Sequence, residues 1–102
     1  MRREVQWSRA ALDDLKAQIA YIATDNPAAT RRVADKIQIT GAALGETPTG
    51  RAGRVGGTYE KVVTGQPYII AYAITAHMGR EAVSILRVIH AARDWRTGAW
   101  PK

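Results

Sequence analysis

The stretch Pro67-Tyr68-Ile69-Ile70-Ala71-Tyr72-Ala73-Ile74-Thr75-Ala76 decides the fold. Read with period two, it places Tyr68, Ile70, Tyr72 and Ile74 on one face and Ile69, Ala71, Ala73 and Thr75 on the other. A strand apolar on both faces belongs in the middle of a covered sheet. Its neighbours in sequence supply partners. Residues 54–64 and 81–90 are likewise rich in Val, Ile, Tyr and Thr, and are set off by Thr64-Gly65-Gln66-Pro67 and His77-Met78-Gly79-Arg80. Such breaks between β-prone runs predict two hairpins, hence three antiparallel strands. In the third strand Val83, Ile85, Arg87 and Ile89 fall on one face, so Arg87 is a guanidinium on an apolar surface. That position is costly unless the group reaches an anion or the sheet edge.

Upstream of Gly53 the period changes to that of helices. Leu12, Leu15, Ile19 and Ile22 recur at intervals of three and four over residues 9–24, behind Ser8 as an N-cap. Thr24-Asp25-Asn26-Pro27 interrupts this stripe. Asn26 then caps a second helix begun by Pro27, whose missing N–H costs nothing at the first helical position. Val33, Ile37 and Leu44 form its stripe with Ala34 and Gly41, and Gly45 followed by Pro48 reads as a left-handed stop. Helices joined so tightly form an antiparallel hairpin. Residues 2–7 alternate, with Val5 and Trp7 opposite Glu4 and Gln6, as in a short half-buried strand. The expected fold is α+β, β-αα-βββ, with an N-terminal helix hairpin packed on a mainly antiparallel sheet. Residues 91–102 read as a short tail packed through tryptophans.

The 102 residues suit one domain, 1–102, and the 46% hydrophobic and 24% charged composition is that of a globular protein. Absence of cysteine removes disulfides, thiolate catalysis and sulfur-ligated zinc. No apolar run suggests a membrane span or a signal region, so the expected address is cytoplasmic. The net charge is +6. Residues 1–50 carry 7 basic and 6 acidic groups and residues 51–102 carry 8 and 3, which places +5 of it in the second half. That balance favours an anionic partner, although a merely soluble basic protein has the same composition.

Few enzymatic chemistries fit. His77 and His90 lack ligand-like partners in sequence, which argues against a metal site, and neither Ser8 nor Ser84 sits in a nucleophile elbow. The run Gly50-Arg51-Ala52-Gly53-Arg54-Val55-Gly56-Gly57 leads into a strand instead of a helix, so it is a turn and bulged strand entry flanked by Arg51 and Arg54. No cofactor is implied. Metal-free RNA cleavage needs a base, an acid and cations for the phosphorane charge, which Arg54, Glu60, Arg87 and His90, with Tyr59 and Tyr68, could supply. Each also has an ordinary reading: the tyrosines as strand residues, Glu60 as an ion-pair partner of Lys61 or Arg54, His90 as a strand end.

Several local phrases, taken in order, resemble the RelE/ParE superfamily of bacterial type II toxins. They are Trp7-Ser8-Arg9-Ala10-Ala11-Leu12-Asp13-Asp14-Leu15, Tyr21-Ile22-Ala23 with Asn26-Pro27-Ala28-Ala29, Gly53–Glu60, Pro67–Tyr72 and Ile85–Trp95. The resemblance covers nearly the whole chain. It implies a small basic toxin wrapped and neutralised by the C-terminal segment of a cognate antitoxin, in a hetero-oligomer. RelE-like members cut messenger RNA on the ribosome, whereas ParE-like members poison DNA gyrase. RelE-like enzymes usually carry Tyr-Arg where this chain has Tyr68-Ile69, and basic residues where Tyr59-Glu60-Lys61-Val62-Val63 offers only Lys61. Gly57-Thr58-Tyr59-Glu60 and the His90-to-Trp95 tail resemble the ParE branch.

The expected function is therefore growth arrest by a ParE-like gyrase poison. A RelE-like endoribonuclease is the enzymatic alternative and a basic nucleic-acid-binding domain the third. Target contact is expected from Arg51, Arg54, Arg87, Arg93, Trp95 and Arg96, and antitoxin contact from Leu15, Ile19, Ile22, Arg31 and Arg32. Arg87 is expected to join the tail in one cationic, aromatic patch, its structural alternative being a pair with Glu60 or Glu81. On the first reading its replacement by alanine leaves stability nearly unchanged.

Overall fold

In the computed structural model, residues 3–53 and 55–91 are described. The elements are β1 (Glu4–Trp7), α1 (Arg9–Asp25), α2 (Pro27–Glu46), β2 (Arg51–Ala52), β3 (Tyr59–Val62), β4 (Tyr68–His77) and β5 (Arg80–His90). The five strands are ordered β1-β5-β4-β3-β2, with β1 parallel to β5 and the remaining pairs antiparallel. The long apolar strand is in the middle, as its two-faced pattern requires.

The helix ends form for the reasons their sequence gives. Ser8 Oγ accepts from Ala11 N at 3.0 Å, and Asn26 Oδ1 accepts from Ala29 N at 3.3 Å with Pro27 opening α2. The α1 stripe is rotated from the expected one: Ala11, Leu15 and Gln18 are buried, while Leu12 is exposed. On α2 the buried set is Ala29, Val33, Ile37, Gly41, Leu44 and Gly45. Of these, Ala11, Leu15, Val33, Ile37 and Leu44 join Tyr68, Ile70, Tyr72, Val83, Ile85 and Val88 in the main core. On the opposite sheet face, Ala71 and Ile89 pack with Val55.

Three sequence expectations are corrected. Gly45 does not stop α2 in a left-handed turn. The helix runs through it to Glu46, and Thr47 N closes on Ala43 O at 3.1 Å. What glycine supplies there is proximity, since a Cβ would lie 2.6 Å from Arg3 O and 2.9 Å from Val5 Cγ2. Second, residues 54–64 are not one strand. Arg51–Ala52 pairs with Tyr59–Glu60, and the chain between turns tightly, Gly53 N donating to Thr58 O at 2.8 Å and Gly57 standing at φ +83°. Third, the alternation of β5 breaks. Ala71 faces Arg87 while Tyr72 faces Ile85, so Leu86 is an extra residue in a β-bulge. The bulge moves Arg87 off the face of Val83 and Ile85.

Candidate functional site

The register gathers the charged candidates into one cross-strand row. Arg51 on β2 lies opposite Glu60 on β3, Glu60 opposite Ala71 on β4, and Ala71 opposite Arg87 on β5. Directly opposed residues share a sheet face, so Arg51, Glu60 and Arg87 all start from the face away from the main core. Ala71, fully buried, is the small spacer between them. The anions in reach are already engaged. Glu60 is only 4% exposed, and its Oε1 accepts from Arg51 Nε at 3.3 Å and Nη2 at 3.1 Å.

Arg87 is held more firmly. Its Nε and Nη2 donate to Asp14 Oδ2 and Oδ1 at 2.6 and 2.8 Å, a two-pronged pair whose side chains are 31% and 16% exposed. Asp14 Oδ2 also accepts from Val88 N at 3.0 Å. Next to it, Ser8 donates from its backbone N to Ile85 O at 2.9 Å and from Oγ to Leu86 O at 3.0 Å. The start of α1 therefore occupies the edge of β5 where β1 ends, and Arg87 reaches round that edge to meet it. Among the described residues the ion-pair partner of Arg87 is Asp14, where the structural alternative had expected Glu60 or Glu81. Glu81 instead accepts from Arg3 Nη2 at 2.9 Å. The bulge and the Asp14 contact were missed in sequence because the only signal is Asp14 itself, an acidic residue on the edge of a helix stripe.

His90 lies on the other face. It is opposite Tyr68, a core residue, and meets its ring edge-on at a centroid distance of 5.3 Å. Glu60 and Arg87 thus share a face that His90 does not. Tyr59 stacks on Tyr72 at 5.5 Å, and the Tyr72 hydroxyl donates to Thr49 O at 2.6 Å. Burial pushes the Tyr72 phenol above the usual tyrosine range, and Tyr59 adds to the shift. Among the described residues no three His, Cys, Asp or Glu side chains are grouped to hold a metal. No described helix is long and apolar enough to cross a membrane.

Of the residues expected to meet an antitoxin, Leu15 is taken up by the core, Ile19 and Ile22 are half-buried against it, and Arg31 and Arg32 are exposed on α2. Arg54, Arg93, Trp95 and Arg96, and with them the expected tail patch, lie outside the described residues.

A helix hairpin on a mixed five-stranded sheet, with paired charges on the sheet's far face, is a small α+β fold. The family described as ParE toxin of the type II toxin-antitoxin system parDE matches residues 5–95, and the chain belongs to it. Y4kP of Sinorhizobium fredii is 40% identical over 95 residues, 92% of this chain and 94% of that protein. Toxin RelE2 of Caulobacter vibrioides is 34% identical over 91 residues, 88% of this chain and 97% of that one. The fold is that of a chain in the chromosomal ParDE system of P. aeruginosa, with TM-score 0.79 and 18% identity over 87% of this chain and 96% of that one. The chain is a type II toxin, and its family implies an antitoxin partner.

Proposed function

We propose that the chain, acting as one toxin domain in the cytoplasm, arrests growth by poisoning DNA gyrase and is neutralised by a cognate antitoxin. The observation that carries this over RNA cleavage is the disposition of the charged row. A metal-free nuclease must aim free cations and an acid–base pair at one phosphate. Here Arg51 and Arg87 are each committed to a carboxylate, and His90 projects from the opposite sheet face to Glu60 and Arg87. A protein target asks less, since paired charges and an apolar spacer form a surface that can be recognised without chemistry. Target contact is assigned to this face, with Arg51 and Arg87, and with Arg54, Arg93, Trp95 and Arg96 following from the sequence. Half-buried Ile19 and Ile22 offer apolar anchorage to an amphipathic antitoxin helix, and exposed Arg31 and Arg32 draw an acidic partner toward it.

The likeness to Toxin RelE2 keeps ribosome-dependent mRNA cleavage as the second reading. Inducing the chain without its antitoxin separates them. The DNA-damage response is expected to rise before translation falls. Early collapse of translation, with new messenger RNA ends inside ribosome-bound codons, would replace the gyrase reading and make Arg54, Glu60, Arg87 and His90 the catalytic candidates.

A further inference from the structure

We propose that Met78, at the tip of the β4–β5 hairpin, is an apolar anchor held out for a pocket on the toxin's protein target, an inference that rests on the target-binding reading above. The turn leaves two residues, Met78 and Gly79, between the paired His77 and Arg80. Both stand in the left-handed region, Met78 at φ +51° and Gly79 at φ +77°, as in the tight turns whose twist matches that of the flanking strands. Glycine enters that region freely and asparagine tolerates it, whereas a long side chain crowds its own backbone there. Met78 is the one non-glycine residue with positive φ among the described residues. Local chemistry therefore asks for Asn-Gly, and the chain carries Met-Gly. Nothing inside the fold rewards that choice. Met78 is 88% exposed, the most of the large apolar side chains among the described residues, with Ile39 next at 68%. A Cβ added at Gly79 would meet nothing within 4 Å, so no other element approaches the turn there. A residue that strains the backbone and buries little of itself points to a partner outside the chain.

The tip is also firmly presented. The β4–β5 ladder runs in constant register from Tyr72 and Ile85 to His77 and Arg80, Thr75 Oγ1 and Ser84 Oγ lie 3.0 Å apart across it, and Arg3 Nη2 donates to Glu81 Oε1 at 2.9 Å. An anchor already in place loses little freedom on binding, and a thioether side chain adapts to an irregular apolar pocket. Charge narrows the partner. Arg3 engages Glu81, which leaves Arg80 exposed and without an ion-pair partner among the described residues. Met78 beside one cation fits an apolar pocket with an acidic rim. A nucleic acid would ask for several phosphate contacts, which this tip does not offer. Position separates it from the residues assigned to the antitoxin. Arg31 and Arg32 lie near the start of α2, about 20 Å along that helix from Gly45, whose carbonyl meets Arg3 beside the hairpin end. The charged row, by contrast, crosses the same two strands at Ala71 and Arg87, so one target surface can meet both.

The test compares the parent chain with Met78→Asn and Met78→Leu, each induced alone in growing cells and each purified with and without the antitoxin of the adjoining reading frame. Met78→Asn relieves the left-handed strain, so it should melt no lower than the parent and bind the antitoxin within twofold of it. Growth arrest, read as surviving colonies after induction, should weaken at least tenfold. Met78→Leu keeps an apolar tip and should stay toxic. A Met78→Asn chain that is stable and fully toxic overturns the anchor alone and leaves the target-binding reading standing. One that melts lower overturns it too, because the strain it was meant to relieve is then absent. Weakened antitoxin binding would give the tip to the antitoxin, and weakened binding of a duplex DNA probe would give it to nucleic acid; either replaces the protein pocket. The DNA-damage response of the parent judges gyrase separately, and a negative result there leaves the colony counts as the test of Met78. A parent that fails to arrest growth defeats the target-binding reading and the anchor with it.

Discussion

Asp14 shows how much one side chain can settle. Its carboxylate accepts from Arg87 twice and from Val88 N once, so it stands in for the neighbouring strand that β5 lacks past Ile85. Hydrogen bonds to charged groups contribute about 1.5–3 kcal/mol each when buried, and partial exposure of this pair discounts that. Arg87→Ala is therefore expected to destabilise the fold by about 1–2 kcal/mol, contrary to the unchanged stability expected from sequence. In a domain of this size each kcal/mol lowers the melting temperature by roughly 4–8 °C. Asp14→Ala should cost more, because it also strands the Val88 N–H. The double variant should be less destabilised than the sum of the singles, and strict additivity in thermal melts would show that the pair is not coupled. Tyr72 gives a second residue-scale prediction. Its folded pKa is raised above the ordinary 10.0, so above about pH 10 the unfolded chain releases a proton that the native one keeps. Stability is level below that pH and falls as the pH rises past it. Tyr72→Phe should make the melting temperature less sensitive to pH between 9 and 11, while losing about 1 kcal/mol at neutral pH with the bond to Thr49 O.

Elements were legible in sequence wherever a period and its punctuation agreed. Ser8, Asn26 and Pro27 mark helix ends by backbone chemistry that acts within four residues, and the two-faced pattern of β4 reports burial on both sides directly. What could not be read depends on elements distant in sequence. The bulge at Leu86 lies where Ser8 and Asp14 bind the edge of β5, and a period-two count running through it puts Arg87 on the wrong face. Gly45 misled in the same way, since a glycine near a helix end signals a left-handed turn when its real service is to let β1 approach. This gives a test at the scale of elements. Alanine improves helix propensity by about 1 kcal/mol over glycine. At residue 45, however, its Cβ would fall 2.6 Å from a backbone oxygen of Arg3, which cannot swing aside as a side chain end can. Overpacking of this kind costs about 1–3 kcal/mol, so Gly45→Ala should be net destabilising. A rise in melting temperature would mean that α2 and β1 are not apposed so closely.

At the scale of the whole molecule the charge is unevenly committed. Several cations are tied to carboxylates within the fold: Arg3 to Glu81, Arg51 to Glu60 and Arg87 to Asp14. These pairs add little to the field felt by an approaching partner. Arg31 and Arg32 differ, being exposed on α2 and without an ion-pair partner among the described residues. An acidic antitoxin feels them at a distance of about a Debye length, roughly 10 Å at 0.1 M salt, before any apolar contact forms. Such charges act on encounter more than on the lifetime of the finished complex. Replacing both with glutamate should slow association with the antitoxin severalfold in low salt and leave the dissociation rate nearly unchanged, and the difference should shrink as ionic strength rises. Stopped-flow or surface-based kinetics at two salt concentrations measure both rates. Faster dissociation with unaltered association would make Arg31 and Arg32 part of the contact itself, and an association rate insensitive to both salt and substitution would remove steering by this face of α2.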